Sequence, residues 1–513
     1  MRAVSIALLT AVSVSAQTAS FEVEEATIAE VHQAMSAGRL TCRELVRDYL
    51  KRIELYDKNG PAINSIVVMN PDAEKQAEEL DRRFSQSGLT GPLHCVPIIV
   101  KDNFQTAGLQ TTDGALALAG FIPAKDAFQV KRVKEAGAIV LAKSNMAEWA
   151  FSQYETVSSI LPGYTRNPYA LNRVTAGSSG GTAAAVAASM GLVGLGSDTG
   201  ASIRGPASHQ ALVGIRSTMG LTSRAGVIPV TLLADVAGPL ARTVEDAARV
   251  LQVIAGVDPD DAVTAGAQSH PPEDYIAALV PDGLRGAVIG VLRQAYESPT
   301  ADPEVLDLFS RAVDDMRRAG AKILDPATVE ELEQIKRPRD AGQCMGFKYY
   351  LNRYLGSQGD LIPVKSLAEI IKSGRFHPSV QRRLERSEAT PENGPDSEAC
   401  RADTGYREAV RQAVLRTMDK YKLDAFVYPT WSNPPRLIGD LNTPHGDNNQ
   451  FFSPTTGFPA INVPMGFTRG GTLPAGMTIY GRAWSDAELI KLAYSYESHT
   501  HHRRPPPSTP PLR

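Results

Sequence analysis

Three side chains in the first half of this sequence, Lys101, Ser178 and Ser202, are of types that together transfer acyl groups without a cofactor. Ser178 and Ser202 lie 24 residues apart near the two ends of a glycine-rich stretch, TAGSSGGTAAAVAASMGLVGLGSDTGASIRGP, from Thr175 to Pro206. A serine hydroxyl is a weak nucleophile: it must pass its proton to a base as it attacks, and the carbonyl oxygen it attacks needs N–H donors as it becomes negative. The turn Gly200-Ala201-Ser202 can present consecutive backbone N–H groups, and Ser178 can relay the Ser202 proton to a neutral lysine. The same glycine turns suit phosphate binding or close backbone packing equally well, because glycine lets a main chain approach another group closely.

Each of these residues must be delivered by an element. Val96-Pro97-Ile98-Ile99-Val100 reads as a buried strand ending in Lys101-Asp102-Asn103. A lysine there is either a surface charge or a cleft lysine whose pKa is lowered by desolvation or neighbouring charge. A helix over 126–137 and a strand over 138–142 lead to Lys143-Ser144-Asn145; a small-residue helix over 182–190 and a strand over 192–196 lead to Asp198-Thr199-Gly200-Ala201-Ser202. Strands over 287–291, 321–324, 423–429, 460–464 and 477–481, with helices over 242–254, 305–320 and 487–500, continue the pattern. Gly214, Gly220, Gly226 and Gly238-Pro239 read as turns. Such alternation predicts an α/β fold with binding groups at the carboxyl ends of strands. Trp149, Phe151 and Tyr154 line a pocket beside that edge or pack in the core.

The flanks are different in character. Residues 1–16, with Arg2, an apolar run and Val14-Ser15-Ala16, have the layout of a signal peptide, so the chain is expected to be secreted or periplasmic. Residues 21–85 read as a polar helical layer, with capping boxes at Thr41/Glu44 and stops such as Gly38. The charged, helical segment around 330–421 is either a peripheral layer or a small subdomain over the cleft. The basic, proline-rich end, 501–513, reads as a flexible tail. Four cysteines, Cys42, Cys95, Cys344 and Cys400, allow up to two disulfides in three full pairings and lack CxxC clustering. A net charge of −3 supplies no reason for nucleic-acid binding, and no later segment is long and apolar enough for a membrane span.

Competing sites are poorer. No GxSxG elbow surrounds Ser202, the glycine runs lack the GK[ST] of a P-loop, and neither has GxGxxG spacing. His209 reads as structural, and His499, His501 and His502 lack HExxH spacing.

The blocks Gly177-Ser178-Ser179-Gly180-Gly181 and Asp198-Thr199-Gly200-Ala201-Ser202-Ile203-Arg204-Gly205-Pro206, preceded by Pro97-Ile98-Ile99-Val100-Lys101-Asp102-Asn103, resemble the amidase signature family of serine hydrolases. The resemblance runs over roughly residues 25–500, and segments such as 424–430, 458–460 and 481–485 are similar in character to peptide amidases and broad-specificity bacterial or fungal amidases. It implies a single domain over 17–500 built on a large mixed β-sheet covered by helices on both faces. It also implies Ser202 as nucleophile, Ser178 on a cis peptide as relay and Lys101 as buried base. The oxyanion hole would be the N–H groups of Thr199, Gly200, Ala201 and Ser202, with Asp198, Arg204 and Ser179 in support. No metal or organic cofactor is implied. The substrate would be a small-molecule or peptide amide, with carbamates, esters and oligoamides as alternatives and a catalytically silent binding protein as a further one; the chain would act as a monomer or homodimer. Export argues against the tRNA-linked glutamine amidotransferase branch. Two positions depart from the family pattern: Ala176 and Ala201 stand where glycine is usual.

Overall fold

The computed structural model describes residues 21–335 and 344–512; the leader expected over 1–16 lies outside them. Short apolar runs form the strands β1 (Ile66–Met69), β2 (Pro97–Lys101), β3 (Ile139–Ser144), β4 (Arg166–Asn167), β5 (Ala170–Val174), β6 (Val193–Asp198), β7 (Val213–Arg216), β8 (Val236–Ala241), β9 (Val288–Val291), β10 (Lys322–Leu324), β11 (Ala425–Pro429), β12 (Ala460–Thr468) and β13 (Leu473–Tyr480). β4 and β5 form a small hairpin. The other eleven make one mixed sheet in the order β1-β3-β2-β6-β8-β7-β12-β13-β11-β9-β10. β3, β2 and β6 run parallel, as do β11, β9 and β10, and the intervening pairs are antiparallel. Every residue of β2, β3, β6, β8, β11 and β13 is buried, which requires cover on both faces.

That cover comes from helices. α1 (Ile28–Ser36), α2 (Cys42–Ile53) and α3 (Ala73–Ser87) form the expected N-terminal layer, with α3 packed on β3. Thr27 and Thr41 cap α1 and α2 reciprocally with Glu30 and Glu44. α4 (Phe128–Glu135) precedes β3. α5 (Gly180–Ala187) packs on β2 and β6, and α6 (Arg204–His209) on β7, β12 and β13. The small residues of α5 permit that approach: a Cβ on Gly181 would run into the carbonyl of Asn145. α7 (Val244–Ile254), α8 (Pro303–Arg318) and α14 (Asp486–Thr500) pack on the β8–β7–β12 side and on β11 and β13.

The segment between β10 and β11 holds α9 (Phe347–Ser357), α10 (Leu367–Ser373), α11 (Gln381–Ala389) and α12 (Glu398–Tyr421), and α13 (Phe452–Thr456) follows β11. Phe347, Leu351, Leu355, Leu367, Ile370 and Leu384 build a separate apolar cluster with Trp149, Phe151, Ile228 and Val230. These helices therefore pack against the chain around Trp149 and Ile228. A Cys344–Cys400 disulfide joins the chain just before α9 to the first turn of α12, and a Cys42–Cys95 disulfide joins α2 to the approach to β2.

Two expectations are corrected. Gly214 and Gly238-Pro239 are not turns: Gly214 lies in β7 and pairs with Leu240, while Pro239 lies in β8 opposite Leu195. The end of the chain is not a loose tail over its described part, 501–512. Buried Arg52 donates to the carbonyls of Thr509 (2.8 Å) and Pro510 (3.0 Å), Ser508 donates to Pro168 O (2.7 Å), and Arg503 pairs with Glu25 at 2.7 Å. Prolines have no N–H to donate, but the carbonyls of Thr509 and Pro510 satisfy a buried guanidinium.

Candidate active site

β2 and β6 are parallel neighbours with Val100 opposite Leu195, so their carboxyl ends bring Lys101 beside Ser197 and Asp198. The β5–α5 loop crosses the same edge and places Ser178, after a cis Gly177–Ser178 peptide, within reach of the lysine. Lys101 Nζ lies 2.7 Å from Ser178 Oγ and 2.9 Å from Ser197 Oγ. Asn103 Nδ2 also donates to Ser197 Oγ (2.9 Å), fixing that hydroxyl. Lys101 and Ser178 are fully buried. Burial lowers the Lys101 ammonium from the usual 10.5 to about 7, against the opposing pull of Asp113, Asp198 and Asp235. Ser179 donates its N–H to Ser202 O and its hydroxyl to Ser197 O, both at 3.2 Å, which ties the two serine turns together. Ser202, 5% exposed, lines a cavity of about 340 Å³ together with Thr199, Gly200 and Ala201.

The turn bearing Ser202 is clamped by buried charge. Arg204 donates to Asp198 Oδ2 (3.1 Å), Gly200 O (2.6 Å) and Asn449 Oδ1 (3.0 Å), while Arg216 donates to the carbonyl and carboxylate of Asp198. Burial alone would raise the Asp198 carboxyl, but Arg204 and Arg216 outweigh it and hold it at about 2. Asp235 accepts from Thr199 Oγ1 (2.6 Å) and from the N–H groups of Val230 and Thr231 (2.9 Å each). The C=O and N–H of a trans peptide point in opposite directions. With the carbonyls of Asp198 and Gly200 held by arginines, the N–H groups of Thr199 and Ala201 are turned away from them. A Cβ at Gly200 would overlap the side-chain amide of Gln450, which would have to move aside.

The far wall of the cavity was not foreseen from sequence. Arg383 of α11 and Asp403, Tyr406 and Arg407 of α12 face Phe151, Val230, Phe451 and Pro454 across it. Arg407 pairs with Asp403 at 2.6 Å and donates to Pro454 O (3.0 Å). The Arg383 guanidinium lies 4.0 Å from the centre of the Phe151 ring and donates to Phe151 O (2.6 Å). Among the described residues no carboxylate lies within ion-pair distance of Arg383. Trp149 is buried in the cluster behind this wall, and the Tyr154 ring lies tilted against His445 with centroids 4.1 Å apart. His209 is buried against Trp431, and burial pushes its imidazole down to about 3. Among the described residues no group of three or more His, Cys, Asp or Glu side chains is arranged to hold a metal ion, and no helix is long and apolar enough to cross a membrane.

A family profile described as Amidase matches residues 44–490. This chain belongs to the amidase family. As a member it is a hydrolase of the amidase type. The amidase is 36% identical to the native peptide amidase of Stenotrophomonas maltophilia, whose crystal structure superposes with a TM-score of 0.83 over 94% of this chain and 98% of that one. It is 34% identical to a probable amidase of Arabidopsis thaliana over 95% of this chain and 93% of the relative. It is also 33% identical to one component of the glutamyl-tRNA(Gln) amidotransferase of Moorella thermoacetica, over 94% of this chain and 98% of that relative. Of the residues singled out from sequence in this amidase, Lys101 bonds to Ser178, Asp198 to Arg204 and Ser179 to the carbonyl of Ser202, and Thr199 to Ser202 share the cavity wall.

Proposed function

We propose that this amidase hydrolyses carboxylic amide C–N bonds through Ser202, Ser178 and Lys101 and an acyl-enzyme. The observation that carries the reading is the 2.7 Å contact between Lys101 and Ser178 in full burial, next to a serine that lines a cavity. With Lys101 neutral, its amine takes the Ser178 proton while Ser178 takes that of Ser202, and Ser202 Oγ bonds to the amide carbon. The resulting oxyanion accepts from the Thr199-to-Ser202 N–H groups, which cost no reorganisation because Arg204, Arg216 and Asp235 already hold the turn. Collapse breaks the C–N bond as the proton returns through Ser178 to the leaving nitrogen, releasing ammonia or an amine. Water repeats the sequence on the ester and releases the acid.

The peptide amidase relative and a cavity walled by both rings and arginines support amides of peptides or of aryl and acyl groups as substrates. Two disulfides and the leader layout support export. A serine-reactive fluorophosphonate, with the adduct mapped by mass spectrometry, tests the nucleophile: labelling is expected on Ser202 and lost in Ser202→Ala. Full amidase activity in the purified Ser202→Ala protein would sink the reading. A screen of peptide amides, aryl amides, esters and carbamates then orders the substrate classes.

A further inference from the structure

The carboxylates acting on Lys101 are Asp113, Asp198 and Asp235, with Asp113 the strongest. Asp198 is answered by Arg204 and Arg216, and Asp235 by one hydroxyl and two backbone N–H groups. Asp113 has no such answer. It is 1% exposed, and neither carboxylate oxygen has a hydrogen-bond partner among the described residues. Its position is nevertheless fixed by the backbone: its N–H donates to Asp102 O (3.0 Å), the carbonyl directly after Lys101, and its own carbonyl accepts from Trp149 N (2.9 Å). The left-handed φ of +53° at Asp113 belongs to that turn.

The neighbouring charges are already engaged. Asp102 pairs with Lys143 of β3 at 3.3 Å, and Glu148 accepts from Ser159 N (2.8 Å) and His377 N (3.0 Å). Tyr354 of α9 gives its acceptor oxygen to Gln105 (2.9 Å). Burial pushes the Asp113 carboxyl well above the usual carboxylate range, and Lys101 is the leading influence in the other direction. An ionised carboxylate without donors is costly in such a place, and the buried ammonium of Lys101, which lies beyond ion-pair distance of Asp113, is the cation that most offsets that cost.

We infer that Asp113 is a positioning residue that shares one titrating proton with Lys101 and thereby sets the pH at which the lysine becomes a base. The balance is simple: an ammonium on Lys101 with a carboxylate on Asp113 holds the same protons as a neutral amine with a carboxylic acid, so the two groups titrate as a pair. The inference rests on the Ser202–Ser178–Lys101 reading and adds to it a residue that never touches substrate.

The test is the pH profile of kcat/KM for an amide substrate in the wild type, in the isosteric Asp113→Asn and in the smaller Asp113→Ser, with circular dichroism confirming each fold. Removing the negative charge leaves Lys101 easier to deprotonate. The acid limb is therefore expected to move to lower pH by about one unit in both variants, with the plateau changed far less than the limb. A limb that stays in place, or moves to higher pH, in a folded variant overturns the inference. Lys101→Ala in parallel separates the two failures: if it retains activity, the catalytic reading itself is wrong, whereas an inactive Lys101→Ala with an unmoved Asp113→Asn limb rejects the role of Asp113 alone.

Discussion

The amine of Lys101 and the hydroxyl of Ser178 stand 2.7 Å apart with neither side chain reaching solvent. A buried amine can act as a base only while it is neutral, and burial brings its pKa to about 7. Below that value the ammonium form dominates, so kcat/KM should fall as the pH drops through about 7. A rate profile on a neutral amide, whose own ionisation contributes nothing, checks the limb.

Arg204 joins Asp198, Gly200 and Asn449, so Arg204→Met should both loosen the Ser202 turn and leave Asp198 with one guanidinium. Breaking a buried pair on one side costs about 3–5 kcal/mol, to be read from denaturant unfolding, together with a loss of kcat. In the wild type, the depressed Asp198 pKa contributes stability that is fully present above the ordinary carboxylate pKa and lost as the pH falls through about 2. That contribution is about 2 kcal/mol and should be missing from acid unfolding curves of Asp198→Asn.

The Cys344–Cys400 disulfide closes a separation of 56 residues just ahead of the α12 side chains that wall the cavity. Loop-closure entropy puts its contribution at about 4 kcal/mol for the segment it closes. Cys344→Ser with Cys400→Ser should raise KM more than it lowers kcat, because Lys101 and Ser178 are held by β2, β6 and the β5–α5 loop instead. Equal KM values in wild type and variant would show that the wall does not depend on this link.

Arg383 leaves one positive charge on the cavity wall without a carboxylate partner among the described residues. Amides carrying an anionic group that reaches the guanidinium should therefore bind better than neutral analogues. A charged hydrogen bond of about 1.5–3 kcal/mol corresponds to roughly a 10- to 100-fold rise in KM for such substrates in Arg383→Ala. Parallel kinetics on an acidic and a neutral amide distinguish this from general damage to the wall.

Much of this arrangement is legible in the sequence where one element explains one run of residues. Val96 to Val100 had to be a buried strand, and its end had to project Lys101 from the sheet. β7 and β8 were missed because Gly214, Gly238 and Pro239 carry turn chemistry, yet they sit in strands whose neighbours demand absent side chains; a Cβ on Gly238 would meet the Ile215 carbonyl. β1 was missed as a short edge strand with only one fully buried residue. Asp113 and Arg383 carried no local signal. Asp113 stands out because its carboxylate lacks a hydrogen-bond partner among the described residues, and Arg383 because it meets a ring and a carbonyl and no carboxylate there; both are properties of three-dimensional packing alone.

The carbonyls of Thr509 and Pro510 on the Arg52 guanidinium, and the pairing of Arg503 with Glu25, bear on how the protein can be handled. Cutting the chain after Thr500 would strip a buried cation of two of its three acceptors and remove the partner of Glu25. An affinity tag fused there would have to leave through a packed surface.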